Sequence, residues 1–212
     1  MTLMYAITKE QYLRDPCGNT SIPYWKAKSI VVPEGMMIVH SSAYQQEAYS
    51  SYVDERYFRL YHDLRNLTEP SLPAGYSLCK SDISDFAAHI NRCYTGIGIT
   101  EAELRSYTER ATYNESLWLA VQDDQTEKIV AAAIGELDAE VGEGVLEWIQ
   151  VSKDYRGQRL GSYLVSELLW RMKDLADFAT VSGQCNNPSH PESLYRKCGF
   201  TGNDVWHILQ KS

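Results

Sequence analysis

The stretch that decides the fold runs from Val151 to Ser162 and reads VSKDYRGQRLGS. An apolar run ends at Val151, a loop containing Gly157 follows, and leucines at helical spacing begin at Leu160. Amide N–H groups at the start of a helix lack partners within the helix and carry the positive end of its dipole, so they can hold a phosphate. The segment therefore predicts a strand, an anion-binding loop and a helix.

The spacing of the glycines in this loop excludes two common nucleotide-binding fingerprints. Neither the GxGxxG of dinucleotide-binding folds nor the GxxxxGK[ST] of phosphate loops occurs here. From the motif alone, a glycine-containing turn that binds nothing stays an alternative interpretation.

The composition is that of a globular chain: 212 residues, of which 44% are hydrophobic and 23% charged. The net charge of −8 disfavours a nucleic-acid partner, because phosphate binding depends on Lys and Arg. We expect no membrane association and no secretory signal, since no apolar run approaches the roughly 20 residues that cross a bilayer. The five cysteines are scattered without a CxxC pair, which predicts reduced thiols, no metal site and a cytoplasmic location.

The first 74 residues are set apart by their tyrosines, since the chain has 15 Tyr against 4 Phe and about half of the Tyr lie there. Prolines and a glycine predict a boundary near Gly75, which separates a Tyr-rich N-terminal region of unknown role (1–74) from a second domain (75–212). Within the first region, Ser29 to Val32 and Met36 to His40 predict a hairpin. The stretch from Tyr44 to Leu67 fits a strand or a helix and is left open.

The order of elements after Gly75 predicts the fold class. Periodicity indicates a strand, two helices, three strands, a helix, a strand, a helix and a final strand. Asp82 or Ser84 caps the first helix, and Thr100 with Glu103 forms a capping box at the second. The prediction is an α/β chain of the α+β type, with a mixed, mostly antiparallel sheet flanked by helices. An N-terminal extension of strands, with or without a helix, precedes it.

Three segments in this order resemble the GNAT superfamily of N-acetyltransferases: the strand LEWIQV, the loop RGQRLG, and LYRKCGF from Leu194 to Phe200. The family's pyrophosphate loop reads R/Q-x-x-G-x-G/A, so Arg156 matches the first position and Gly161 the last. Arg159 stands where the family usually has glycine, a departure that a loop tolerates if the φ angle there is not positive. The resemblance covers about residues 76–210.

The resemblance implies direct transfer of an acetyl group from the cosubstrate acetyl-CoA to a primary amine of a small molecule or peptide, without a metal. It implies that the main chain of Ile149 and Val151 contacts the pantetheine and the thioester, whose carbonyl is polarised by backbone N–H groups. The residues that it places around the pyrophosphate are Arg156, Gly157, Arg159, Gly161 and Ser162.

Two further residues follow from the late helix of the family. Tyr195 is the candidate proton donor to the departing thiolate, because a tyrosine hydroxyl often stands there near the CoA sulfur. Packing in the core is the alternative role for this side chain. Asn186 and Asn187 both resemble the asparagine that binds the pantetheine arm, and we carry Asn187 forward as the predicted contact.

Glu147 is the candidate base that removes a proton from the substrate ammonium. On a regular strand its side chain shares a side with Ile149 and Val151, where partial loss of hydration favours proton uptake. Glu143 or a water molecule is an alternative base, and a merely solvated carboxylate is equally compatible with the sequence.

The segment from Glu101 to Glu147 is acidic, with twelve acidic residues against three basic ones. This excess predicts either an acidic rim that attracts an amine or a surface charge that only keeps the protein soluble. A non-catalytic acyl-CoA-binding or regulatory module is the alternative function, and a protein that binds a partner through its Tyr-rich region is a third. His190 and His207 are held in reserve as alternative bases, although a lone histidine is more often a hydrogen-bonded structural residue. The oligomeric state is left open, with a homodimer as one alternative.

Overall fold

The computed structural model describes residues 7–94 and 96–211. Within these residues the α-helices are α1 Lys9–Arg14, α2 Tyr24–Ala27, α3 Ile83–Cys93, α4 Glu101–Tyr107, α5 Leu160–Met172 and α6 Pro191–Lys197. The strands there are β1 Met36–His40, β2 Tyr52–His62, β3 Tyr76–Cys79, β4 Trp118–Asp123, β5 Ile129–Asp138, β6 Glu143–Val151, β7 Phe178–Gln184 and β8 Thr201–Lys211. Every helix and strand predicted after Gly75 is present.

The chain divides into two compact units. The first comprises Met1–His62 and Thr180–Ser212, and the second comprises Asp63–Ala179. These ends differ from the predicted boundary near Gly75, which stays a prediction.

In the first unit the strand order is β1-β8-β2-β7. Strand β8 pairs antiparallel with β1 on one side and with β2 on the other, so that His207 lies opposite both Val39 and Arg56. The open stretch from Tyr44 to Leu67 therefore contains a strand at Tyr52–His62, preceded by a 3₁₀ turn at Gln46–Tyr49, and β2 lies inside the sheet. N-terminal strands are part of this unit as the sequence predicts.

The predicted hairpin of Ser29 to Val32 with Met36 to His40 is wrong. Its second strand forms but pairs with Trp206–Gln210 of β8. The first strand is reduced to an isolated bridge at Val31, because the backbone ahead of it is committed to α2, where the Ser29 amide donates to the Lys26 carbonyl. The turn at Gly35 is present, with φ +80°.

A buried arginine joins three elements of the first unit. Arg59 on β2 is 1% exposed. Its guanidinium donates to the Tyr12 hydroxyl (2.9 Å), the Pro16 carbonyl (3.1 Å) and the hydroxyls of Thr180 (3.2 Å) and Ser182 (3.1 Å). These bonds tie the segment around α1 to β2 and β7.

In the second unit the strand order is β6-β5-β4-β3, and each neighbouring pair is antiparallel. Apolar side chains of α3 and α4, among them Ile90 and Leu104, pack on Ile134 of β5. Two glycines allow close contact with α5, since a Cβ on Gly135 or Gly144 would stand 2.8 or 2.5 Å from the Met172 side chain, which would have to shift. Sheet and helices in this arrangement confirm the predicted fold class.

Local sequence signals set the starts of α3 and α4. The Asp82 carboxylate accepts the Asp85 amide at 2.9 Å. At α4 both halves of the predicted capping box form between Thr100 and Glu103. Each bond satisfies an amide that the helix cannot pair internally.

Candidate active site

Strand β6 is interrupted at Glu147. Trp148 lies opposite Ile134 and Leu146 lies opposite Gly135, so Glu147 has no counterpart on β5. An extra residue in one strand is a β-bulge, which bends the strand and redirects a side chain. The regular alternation that would put Glu147 on the side of Ile149 and Val151 therefore does not hold.

After β6 the chain forms the predicted loop. A short 3₁₀ turn covers Lys153–Tyr155, and 156–159 are all exposed before α5 begins. The Arg156 side chain turns back, and its Nε donates to the Val151 carbonyl at 3.3 Å. Gly157 has φ +81° and open space where a Cβ would stand, so the loop backbone is accessible at this point.

Arg159 adopts the left-handed conformation, with φ 65° and ψ 7°, as the N-cap residue of α5. From the sequence we expect arginine to replace glycine at this position only if φ is not positive. Because φ is positive here, that expectation is wrong. The carbonyl of Arg159 accepts the first intrahelical bond, from the Tyr163 amide at 3.0 Å. A left-handed non-glycine residue costs about 1–2 kcal/mol, and this strain is held where the loop enters α5.

The charge of the loop suits an anion. Lys153, Arg156 and Arg159 are exposed, against one exposed carboxylate at Asp154. Gly161 and Ser162 occupy the first turn of α5, where the dipole adds positive potential. Chain continuity thus brings Ile149, Val151 and the predicted pyrophosphate contacts into one segment.

Sequence reasoning missed a role for Tyr94, the residue after the last turn of α3. Its hydroxyl donates to the Ile149 carbonyl at 3.2 Å, and its ring meets Trp148 edge to face at 5.6 Å. Burial raises the pKa of Tyr94 to about 12, so the hydroxyl stays a donor at neutral pH. The only sequence signal was its place at the end of a predicted helix.

A second missed contact reaches the loop from β3. The Tyr76 hydroxyl donates to the Gln158 carboxamide. The Tyr76 ring also meets that of Tyr155 edge to face, with centroids 6.3 Å apart. Both contacts hold the loop against β3.

The acidic region is less exposed than its charge suggested. Glu143, the alternative base, is 0% exposed, and Glu136 and Asp138 are 2% and 5% exposed. Arg110 donates to Glu136 at 2.7 Å. These three carboxylates therefore contribute little to a solvent-facing acidic rim.

The other predicted residues belong to the first unit. Tyr195 on α6 is 7% exposed, with its ring centroid 5.8 Å from Phe200 and 6.1 Å from Phe58. The Asn187 side-chain oxygen accepts both the amide (2.9 Å) and the hydroxyl (2.7 Å) of Ser189, which forms a local turn before α6. The Asn186 oxygen accepts Arg56 at 3.4 Å.

The described residues contain no group of three or more His, Cys, Asp or Glu side chains placed to hold a metal ion. Every helix within the same ranges is too short or too polar to span a bilayer.

Residues 113–202 match the family model described as the acetyltransferase (GNAT) domain. This range contains the β6 bulge, the loop, α5 and Tyr195. No curated protein sequence matches the chain significantly.

Solved structures share the fold. A GCN5-related N-acetyltransferase from Sphaerobacter thermophilus is 16% identical with a TM-score of 0.68, over 83% of this chain and 59% of that one. A GNAT-family acetyltransferase from Colwellia psychrerythraea is 16% identical with a TM-score of 0.58, over 82% and 64%. A GCN5-related N-acetyltransferase from Kribbella flavida is 17% identical with a TM-score of 0.56, over 83% and 67%. At such identities the likeness shows the fold alone, and the chain spans less than two thirds of the first two proteins.

Proposed function

We propose that this chain, which carries a GNAT acetyltransferase domain, transfers an acetyl group from acetyl-CoA to a primary amine of a small molecule or peptide by direct attack. The observation that supports it best is the exposed loop 156–159, which joins the bulged strand β6 to the N-terminus of α5. Positive side chains, accessible amides and a helix dipole together favour the binding of a pyrophosphate.

The pyrophosphate would be held mainly by main-chain groups. Gly157 has open space beside its Cα, and the first turn of α5 at Gly161 and Ser162 presents the positive end of the dipole. Arg156 and Arg159 add two positive charges at the protein surface. The loop would therefore bind a polyanion through its main chain and its charge, and no particular side-chain geometry is required.

Strand β6 would bind the pantetheine arm through the main chain of Ile149 and Val151. Acetyl-CoA supplies the activated thioester, and preorganised N–H groups lower the barrier by stabilising charge on its carbonyl oxygen. The bond from Tyr94 to the Ile149 carbonyl supports this role, because it holds the strand beside the bulge.

The reaction needs an acid and a base for its proton transfers. We propose Tyr195 as the donor to the leaving thiolate and Asn187 as a contact of the pantetheine arm. Glu147 is proposed as the base for the ammonium form of the acceptor, directly or through water. Its position in a bulge supports this role, since bulges redirect side chains at functional sites.

The acceptor class rests on charge. The chain carries −8 overall, which favours approach of a cationic amine over an anionic acceptor. The five cysteines form no disulfide within the described residues, which supports a reducing compartment such as the cytoplasm. The homodimer stays a prediction that sedimentation would test.

Calorimetric titration with acetyl-CoA, followed by an assay of free thiol release with a panel of primary amines, tests the proposal. We expect saturable binding, and turnover with at least one amine. Gly157→Val should weaken binding, because a side chain at φ +81° alters the loop backbone. Lys128→Ala removes an exposed cation from a different turn of the same unit and should leave binding unchanged.

Two outcomes would count against transfer. Absence of acetyl-CoA binding by the folded protein would overturn the proposal as a whole. Binding without turnover on any amine would favour the non-catalytic acyl-CoA-binding module.

A further inference from the structure

Three polar side chains of the first unit stand in line at one face of its sheet. The Ser41 hydroxyl lies 3.0 Å from Nε2 of His207. Nδ1 of the same imidazole lies 2.9 Å from the Asp54 carboxylate. Positions 41 and 54 are 166 and 153 residues from His207 along the chain, so only the fold assembles the group.

Strand pairing explains why these side chains meet. On β8, His207 lies opposite Val39 of β1 and Arg56 of β2. Ser41 is two residues beyond Val39, and Asp54 is two residues before Arg56. Residues two apart in a strand share a face, and Ser41, one residue past the end of β1, still donates its amide to the Val205 carbonyl of β8 at 2.9 Å. The serine and the carboxylate therefore reach His207 from opposite sides.

The arrangement selects one imidazole tautomer. A carboxylate can only accept, so Asp54 favours the proton on Nδ1 and leaves the Nε2 lone pair to accept the Ser41 hydroxyl proton. The Tyr44 ring stacks on the imidazole at 3.7 Å and 5° between planes. His207 is only 6% exposed, whereas Ser41 lies exposed on the turn after β1.

We propose that Ser41 is a nucleophile, with His207 as its general base and Asp54 as the group that orients the imidazole, and that this second site hydrolyses small activated esters. Nucleophile, base and orienting carboxylate within hydrogen-bond reach are the requirements for covalent acyl transfer. This activity is separate from the proposed acetyl transfer to an amine.

The reaction balances without a cofactor. Ser41 Oγ forms a bond to the acyl carbon, the ester C–O bond breaks, and the hydroxyl proton passes through His207 Nε2 to the leaving alkoxide. Water then attacks the acyl-serine, its proton returns through His207 to Oγ, and a carboxylic acid is released. One ester and one water give one acid and one alcohol.

Stabilisation of the oxyanion sets the expected rate. The amides of Ser41 and Ala43 already donate to the Val205 and His40 carbonyls, both at 2.9 Å. These two amides are therefore not available to an oxyanion. Arg56, opposite His207, supplies positive charge on the same face. Because an amide oxyanion hole contributes about 10²–10³ in rate, we expect slow turnover. We expect the acyl-serine to form faster than it is hydrolysed, so that product release begins with a burst.

Ser42 is the natural control for Ser41. Its hydroxyl lies 2.8 Å from His40 Nδ1, and His40 Nε2 lies 3.2 Å from Asp204. The Ser42 amide donates to the same Nδ1 at 3.3 Å, so this contact closes a local turn and the ring nitrogen is already engaged. Both serines are exposed.

The test treats the full chain with a fluorophosphonate, locates the adduct by peptide mass spectrometry, and follows p-nitrophenyl acetate hydrolysis in parallel. We expect one adduct on Ser41, none in Ser41→Ala, and an unchanged rate in Ser42→Ala. Asp54→Asn, which keeps the shape of the side chain, should slow labelling by about 100-fold. Thermal unfolding confirms that each variant is folded.

Three results would overturn the proposal. They are a labelling rate no higher than that of the urea-unfolded chain, an adduct that survives in Ser41→Ala, and an Asp54→Asn variant that is labelled as fast as the original protein. An adduct on Ser42 would assign the reactivity to the local turn.

Discussion

The guanidinium of Arg110 lies 2.7 Å from the carboxylate of Glu136, a side chain with only 3% of its surface exposed. Arg110→Gln would remove the positive charge of this ion pair from beside the buried carboxylate. Since removal of one member of a buried pair costs about 3–5 kcal/mol, we expect the free energy of unfolding in urea to fall by about 3 kcal/mol.

Arg105 provides the matched control. It pairs with Glu101 at 2.6 Å, but these side chains are 58% and 49% exposed. Exposed pairs are worth about 0–1 kcal/mol, so Arg105→Gln should change stability little. Equal losses in the two variants would contradict the argument from burial.

Backbone strain at Arg159 can be measured by comparing Arg159→Gly with Arg159→Ala. Both remove the same charge, but only glycine adopts φ 65° without steric cost. We expect the glycine variant to be more stable than the alanine variant by about 1 kcal/mol and the two to bind acetyl-CoA alike. A more stable alanine variant would show that this residue is not held in the left-handed region.

His89 predicts a loss of stability in acid. Burial, with the positive charge of Arg92 nearby, lowers the pKa of His89 from 6.5 to about 4. Between these values the unfolded chain binds more protons than the folded one, so stability is complete above pH 6.5 and falls as the pH drops towards 4. The loss from this group is up to about 3 kcal/mol.

Urea unfolding at pH 7 and pH 4.5 measures this loss. His89→Gln should reduce the difference in stability between the two pH values. His190→Gln, which changes an exposed histidine, should leave the difference as it is. If the free energy of unfolding depends on pH as strongly in His89→Gln as in the original protein, another group causes that dependence.

Tyr195→Phe tests the proposed proton donor. The ring contacts with Phe58 and Phe200 are kept, so the variant should fold and bind acetyl-CoA with nearly unchanged affinity. The maximal rate of thiol release should fall, since a positioned acid contributes about 10²–10⁴-fold. An unchanged rate would remove Tyr195 from the mechanism and leave it a packing role.

Much of the second unit could be predicted from the sequence because its signals are local. The cap at Asp82 and the box at Thr100 involve partners three residues away. The strand, loop and helix around Gly157 follow from periodicity and a turn residue in one short segment. Such interactions are encoded wherever the residues occur, whatever surrounds them.

Other features depend on which distant segments meet. The bulge at Glu147 is defined only by its register against β5. The burial of Glu143 and Glu136 could not be predicted from an acidic segment of sequence, because exposure depends on the layers that pack around a strand. The left-handed conformation of Arg159 likewise contradicts its own steric preference, which the surrounding structure overrides.

By itself, the sequence determined the order of helices and strands after Gly75, the caps of α3 and α4, and the strand, loop and helix that resemble the GNAT family. Only the tertiary structure decided that β1 and β2 flank β8, that Tyr94 reaches the Ile149 carbonyl, and that Ser41 and Asp54 meet at His207. The physical reason is that a strand specifies its own alternation but not its partner. Pairing is settled by the long-range burial and hydrogen bonding of the whole sheet.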